Sequence, residues 1–230
     1  MLTSKAIKSA IGALGLCVAG ASQAAVITLD FENIAPYPNN NDVFVQDFYN
    51  GGTSSIGTSG TNHGISFSSN SLAICLNSTS VFCSNTSRGG LDPASAEGGL
   101  FFLTGSESIM NVAAGFDTGF AFNYVSLSNP GSVSVYDGLD GTGNLLATIN
   151  LSPNAGSCPG YNAGFCPFSP IGVGFAGTAK SVSFAGVANQ IVFDDITFGA
   201  VAPPTVPVPA TVALLGLGLA GLGWTRRKKA

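Results

Sequence analysis

The chain has 230 residues, a formal net charge of −4 and only 9 % charged residues. All twelve acidic residues lie between Asp30 and Asp195, where Arg88 and Lys180 are the only basic ones, so this middle portion is about ten charges negative. That sign argues against a nucleic-acid or anionic-lipid partner. Ser, Thr, Asn and Gly supply the surface instead, a habit of extracellular β proteins, and all sixteen Phe fall between residues 25 and 200, ample material for one core.

The first two dozen residues read as a secretory signal (1–24). Lys5 and Lys8 form the charged start, residues 11–21 the apolar middle, and Ser22, Gln23 and Ala24 a small-x-small cleavage site. The run is too short for a permanent membrane helix, and the mature chain is expected to begin at Ala25 or one residue later. Cys17 is lost with the signal, and no lipoprotein box surrounds it.

From residue 25 to 200 period-two alternation recurs and helical period is nearly absent. Strands are predicted over 26–31, 64–68, 72–76, 100–103 and 120–127, then over 132–136, 145–151, 172–175, 181–184 and 190–198. About ten short strands separated by Gly, Asn, Asp and Pro predict an all-β fold, an antiparallel β-sandwich of jelly-roll-like kind. Residues 39–64 and 85–98 read as long polar loops, and 201–205 as a Pro-bearing linker.

Four cysteines remain, Cys75 and Cys83, then Cys158 and Cys166, each pair seven residues apart. In an oxidising compartment such spacing predicts two local disulfides, with adjacent pairing preferred among three connectivities. A zinc site is a poor alternative, because the spacing is wrong and His63 is the only histidine.

Between residues 136 and 145, Asp137 and Asp140 stand in a Gly-rich turn. A cation loop is one reading; a plain hairpin connection, in which Asp and Gly supply positive φ angles, is the stronger one. The two ends of the domain say more. In Leu29–Glu32 the alternation sends Leu29 and Phe31 inward and Asp30 and Glu32 to the other face. In Val192–Phe198 the alternation breaks: Phe193, Ile196 and Phe198 share a face only with a bulge at Asp194 and Asp195. An acidic opening strand beside an Asp-Asp closing strand resembles the structural calcium site of several carbohydrate-binding modules. The resemblance implies one Ca²⁺ held by Glu32 and Asp194 or Asp195; the alternative is carboxylates that are solvated or bonded to turn amides.

For catalysis the sequence offers little. There is no Gly-x-Ser-x-Gly elbow, phosphate loop or His-Glu-x-x-His pair, and a lone loop His63 reads as solvated. Glu97 and Glu107 leave a glycoside hydrolase open as a third reading. Glycan binding is the second: Tyr37, Tyr49 and Tyr161 are the loop aromatics on which a sugar could stack, although the only Trp, Trp224, lies outside the domain.

The last stretch, 206–230, has three parts. Val206, Pro207, Val208, Pro209 and Ala210 open it, an uncharged apolar run continues to Trp224, and Arg226, Arg227, Lys228 and Lys229 follow. Fifteen apolar residues as a helix span roughly 22 Å, and counting from Val206 brings this to roughly 28 Å, barely enough for a bilayer core of about 30 Å. The basic cluster places its end in the cytoplasm. This order resembles a PEP-CTERM sorting signal, with Val208 where the family has glutamate, as in its VPxPA-type variants. The resemblance implies a transient inner-membrane anchor removed by an exosortase after signal peptidase has acted. It also implies a final place at the cell surface or in an exopolysaccharide matrix, where an acidic, low-charge sandwich without a catalytic motif is expected to serve as a non-catalytic component.

Overall fold

The computed structural model describes residues 26–35, 42–76, 98–156 and 165–203. The signal, the sorting segment with Val206–Ala210 and Arg226–Lys229, and Tyr37, Cys83, Arg88, Glu97, Cys158 and Tyr161 lie outside them. The described residues contain no helix and twelve strands. In order these are β1 (Ile27–Leu29), β2 (Val43–Phe44), β3 (Ile65–Phe67), β4 (Leu72–Cys75), β5 (Gly98–Phe101) and β6 (Glu107–Phe116). Then come β7 (Gly119–Ser126), β8 (Gly131–Tyr136), β9 (Leu145–Leu151), β10 (Ser169–Gly174), β11 (Ala179–Ala185) and β12 (Ile191–Phe198).

They form two antiparallel sheets. One runs β10-β7-β12-β5-β4-β2, with β1 also on β12; the other runs β3-β6-β11-β8-β9. The fold is an all-β antiparallel sandwich. Its principal core lies between the sheets, where Phe120 and Phe122 of β7, Phe193 and Ile196 of β12 and Phe184 of β11 meet, none of them exposed. Alternation explains which residues do so: Val133 and Val135 of β8 are buried while Ser132, Ser134 and Tyr136 are only partly covered.

β7 and β12 depart from alternation because every residue in each is buried. A second apolar cluster covers their other face: Val125 and Val192 pack with Leu72, Ile74, Phe165 and Phe168. A strand buried on both faces reads as a nearly continuous apolar run.

Two segments differ from the sequence expectation. β6, ten residues long, is absent from the predicted set; its buried face is Ser108, Met110 and Val112, followed by Ala113, Ala114 and Gly115, a weak apolar signal. The segment 39–64, read as a polar loop, buries Val43, Val45, Phe48 and Tyr49 to 4 % exposure or less. It is a packed connection anchored by aromatic side chains.

The turn between β8 and β9 is the hairpin connection. Asp137 accepts from the Asn144 side-chain amide (2.8 Å) and backbone N–H (2.6 Å), and these bonds, in that order, hold its carboxyl below the usual carboxylate range. Asp140, at φ 56°, instead exchanges bonds with the side chain of Asn111 on β6 (2.6 and 2.8 Å). The two aspartates thus serve different partners.

Candidate functional site

The site grows from the meeting of the two chain ends of the domain. β1 pairs antiparallel with β12, Leu29 opposite Ile196 and Ile27 opposite Phe198. On the same edge of β12, β5 pairs at Phe193 with Leu100, so β12 changes partner between Phe193 and Ile196. The expected bulge falls there: pairing with β7 shifts register between Asp194 and Thr197, and Asp195 adopts φ 48°. The bulge returns Ile196 and Phe198 to the inner core beside Phe193.

Leu29 and Phe31 both point inward, as expected, at 0 and 1 % exposure. The strand itself ends at Leu29, and Phe31 reaches the core through a left-handed residue at φ 55° rather than by alternation. Its buried N–H leaves the ladder and donates to the Tyr49 hydroxyl oxygen (2.9 Å). Gly98 of β5 fits against this corner because it lacks a side chain; a Cβ would come within 2.5 Å of the Phe31 carbonyl carbon and oxygen. The Gly98 N–H donates to Glu32 Oε1 (2.8 Å).

Tyr49 corrects the expectation of a loop aromatic offered to a sugar. It is 4 % exposed, edge-on to Phe31 at 5.8 Å and to Phe48 at 4.9 Å, so no ring face is left for stacking. Sequence could not place it, because its anchor is a backbone N–H eighteen residues away. Burial first, then the charge of Asp30, with Asp194 and Glu32 adding, pushes the phenol far above its ordinary pKa; the Phe31 N–H opposes them. Asp30, Glu32 and Asp194 therefore all act on one hydroxyl.

Asp194 and Asp195 are 1 and 3 % exposed. Asp194 Oδ1 accepts the Asp195 N–H (2.7 Å), and Asp195 Oδ2 accepts from the Asn123 side-chain amide of β7 (3.1 Å). Glu32, Asp194 and Asp195 are thus each bonded to a separate amide donor, from Gly98, Asp195 and Asn123 respectively. Their oxygens suit calcium in type, but among the described residues no group of three or more His, Cys, Asp or Glu is disposed to hold a metal ion.

Beside this corner runs a cleft. The 47–63 segment is held against the chain that follows β1 by Tyr49 and by Thr58, whose hydroxyl donates to the Ile34 carbonyl (2.9 Å), and is closed on itself by the Gly60 N–H on the Phe48 carbonyl (3.3 Å). Between them lies a cavity of about 270 Å³ to which Asp30, Glu32, Asn33, Thr61 and His63 contribute. His63 also lines a second cavity of about 400 Å³, whose walls include Ile27, Val112, Phe116 and Phe198. The sequence reading left His63 as a solvated loop residue; it is half-buried, with its N–H on the Tyr49 carbonyl (2.8 Å). Nothing in the local pattern marks Asn33, Thr61 and His63 as one site, because the fold brings them together across 28 residues of chain or more.

Of the hydrolase pair, Glu107 at the start of β6 accepts a very short hydrogen bond from the Ser183 hydroxyl. Cys75, at the end of β4, and Cys166 are both disulfide-bonded.

The described domain is thus a β-sandwich whose termini are joined on one edge. The comparisons add what lies beyond it. A family model described as the PEP-CTERM protein-sorting motif matches residues 205–228, so the chain carries that motif. It marks an exported protein targeted to exosortase, with a C-terminal membrane-anchoring sorting signal. No curated protein matches the chain. Among solved structures it is similar to the K2 cleaved adhesin domain of Lys-gingipain (Kgp), at 12 % identity and a TM-score of 0.39, covering 76 % of this chain and 99 % of that one.

Proposed function

We propose that the protein is a non-catalytic surface or exopolysaccharide-matrix component, freed from its membrane anchor by an exosortase. The observation that carries this is the sorting motif at 205–228, directly after a folded sandwich that ends with β12 at Phe198. An apolar run that would barely cross the bilayer as a helix suits a temporary anchor. The basic Arg226–Lys229 cluster orients it with the C-terminus in the cytoplasm and the domain outside.

The test compares wild type, a strain without exosortase, and Pro207→Ala. Wild type is expected to lose residues beyond the motif and to leave the inner membrane, while the other two keep the tail and stay. A tail retained in wild type would end the reading.

Two local disulfides, Cys75–Cys83 and Cys158–Cys166, belong to the same proposal. An oxidising destination and the bonded state of Cys75 and Cys166 support them. Each closes a short loop worth about 2–3 kcal/mol in the chain-entropy model. Peptide mapping of the unreduced protein is expected to return those two links; a link between the first and second pair overturns the assignment.

A further inference from the structure

We propose that the cleft beside β1 is a binding groove for a non-acidic glycan of at least two sugars. The polar cavity takes one ring and the adjoining apolar cavity takes the C–H face of the next. The inference is independent of the sorting signal, and the two fail in separate experiments.

The smaller cavity offers a carboxylate from Asp30, a side-chain amide from Asn33, a hydroxyl from Thr61 and an imidazole from His63. Carboxylates accept O–H donors, while amide, hydroxyl and imidazole both donate and accept. That mixture matches sugar hydroxyls, which present both roles around a ring. Its volume of about 270 Å³ sits at the small end of ligand cavities, roughly 300–1,000 Å³, the scale of a single ring.

The neighbouring cavity shares His63 with the first and continues past Ile27 to Phe116 and Phe198. Sugar rings carry apolar C–H faces, and an apolar, aromatic lining with a few placed polar groups is the usual make-up of a ligand pocket. Phe116 is edge-on to Phe175 at 5.7 Å and to Phe198 at 5.0 Å, so this wall is fixed by packing.

The Tyr49 and Thr58 bonds that fasten the 47–63 segment to the β1 corner hold the groove open without a ligand, so little ordering cost is left for binding. The Asp30 and Glu32 carboxylates line it and Asp194 lies within electrostatic reach of the same Tyr49 hydroxyl. A uronate or sulfated chain meets like charge there.

The full chain in detergent micelles is applied to an array of neutral and uronate-bearing oligosaccharides, and the tightest neutral oligomer is then titrated. Saturable binding of a neutral oligomer is expected, with the uronate chains at least about tenfold weaker. Thr61→Trp fills the polar cavity from an exposed position, and Asp30→Asn removes a charged acceptor. Each is expected to weaken binding about 10-fold or more: Asp30→Asn by about 10- to 100-fold through the loss of one hydrogen bond to a charged group, and Thr61→Trp by occupying the space of the ring. Melting temperatures of both variants are expected to match wild type. The proposal is overturned if no neutral oligosaccharide binds, if uronates bind as well as neutral chains, or if Thr61→Trp binds like wild type.

Discussion

Phe193→Ala is expected to lower unfolding stability by about 3–5 kcal/mol, the range for truncating a buried aromatic. Phe193 is fully buried and stands where the two sheets face each other: its ring is 4.9 Å from Phe184 of β11 and 5.7 Å from Phe122 of β7. Phe184 in turn touches Phe120 at 6.0 Å, so a cavity at Phe193 unsupports rings from both β7 and β11 at once. The site cannot collapse easily, because β12 is fixed by β7 on one edge and by β5 and β1 on the other. Urea unfolding of the domain reads the loss directly as a lowered midpoint. A smaller change locates the cause: the coupling between Phe184→Leu and Phe193→Leu in a double-mutant cycle is expected at about 0.5–1.5 kcal/mol, the worth of an edge-to-face pair. A loss below about 1 kcal/mol for Phe193→Ala would mean that the inter-sheet core is not packed as described.

How much of this was legible in sequence depends on whether the signal was local. The broken alternation in Val192–Phe198 forced a bulge at Asp194 and Asp195, and the register shift occurs there. Alternation also set the buried face of β8, whereas Phe31 was expected inward by alternation and reaches the core instead through a left-handed backbone at φ 55°. What failed was long-range. Val43, Val45, Phe48 and Tyr49 follow no period, so the 39–64 segment read as polar although its apolar residues are core. β6 hid because Ser108 occupies a buried position and Ala113–Gly115 carry little hydrophobic signal. Likewise the outer cluster around Phe165 and Phe168 exists only because this segment folds back over Val125 and Val192. At the candidate site the acidic members were visible as types, since Asp30, Glu32, Asp194 and Asp195 flank the domain. Their amide partners Asn123 and Gly98, and the His63 side of the cleft, come from chain far from either end.

Tyr49→Phe is the sharpest test of that corner, with an expected loss of about 1–3 kcal/mol at neutral pH. The ring stays, so contacts with Phe31, Phe48 and Phe67 are kept; what disappears is the acceptor of the buried Phe31 N–H. That N–H cannot turn to the sheet instead, because Phe31 is left-handed, at φ 55°, and lies beyond the end of β1. The pH dependence separates this from simple polishing of the core. An unfolded tyrosine ionises near pH 10, whereas in the fold burial, then Asp30, Asp194 and Glu32, hold the Tyr49 phenol well above that. A group with a raised folded pKa contributes stability that is complete below the unfolded pKa and is lost as pH rises beyond it. Wild type should therefore lose stability steeply above about pH 10, while Tyr49→Phe, lacking the phenol, loses less, and the gap between the two narrows. Urea midpoints of both proteins from pH 7 to 11 give the two curves. Parallel curves through that range would show that the Tyr49 hydroxyl does not sit among those carboxylates, and the joined-termini corner would have to be rebuilt.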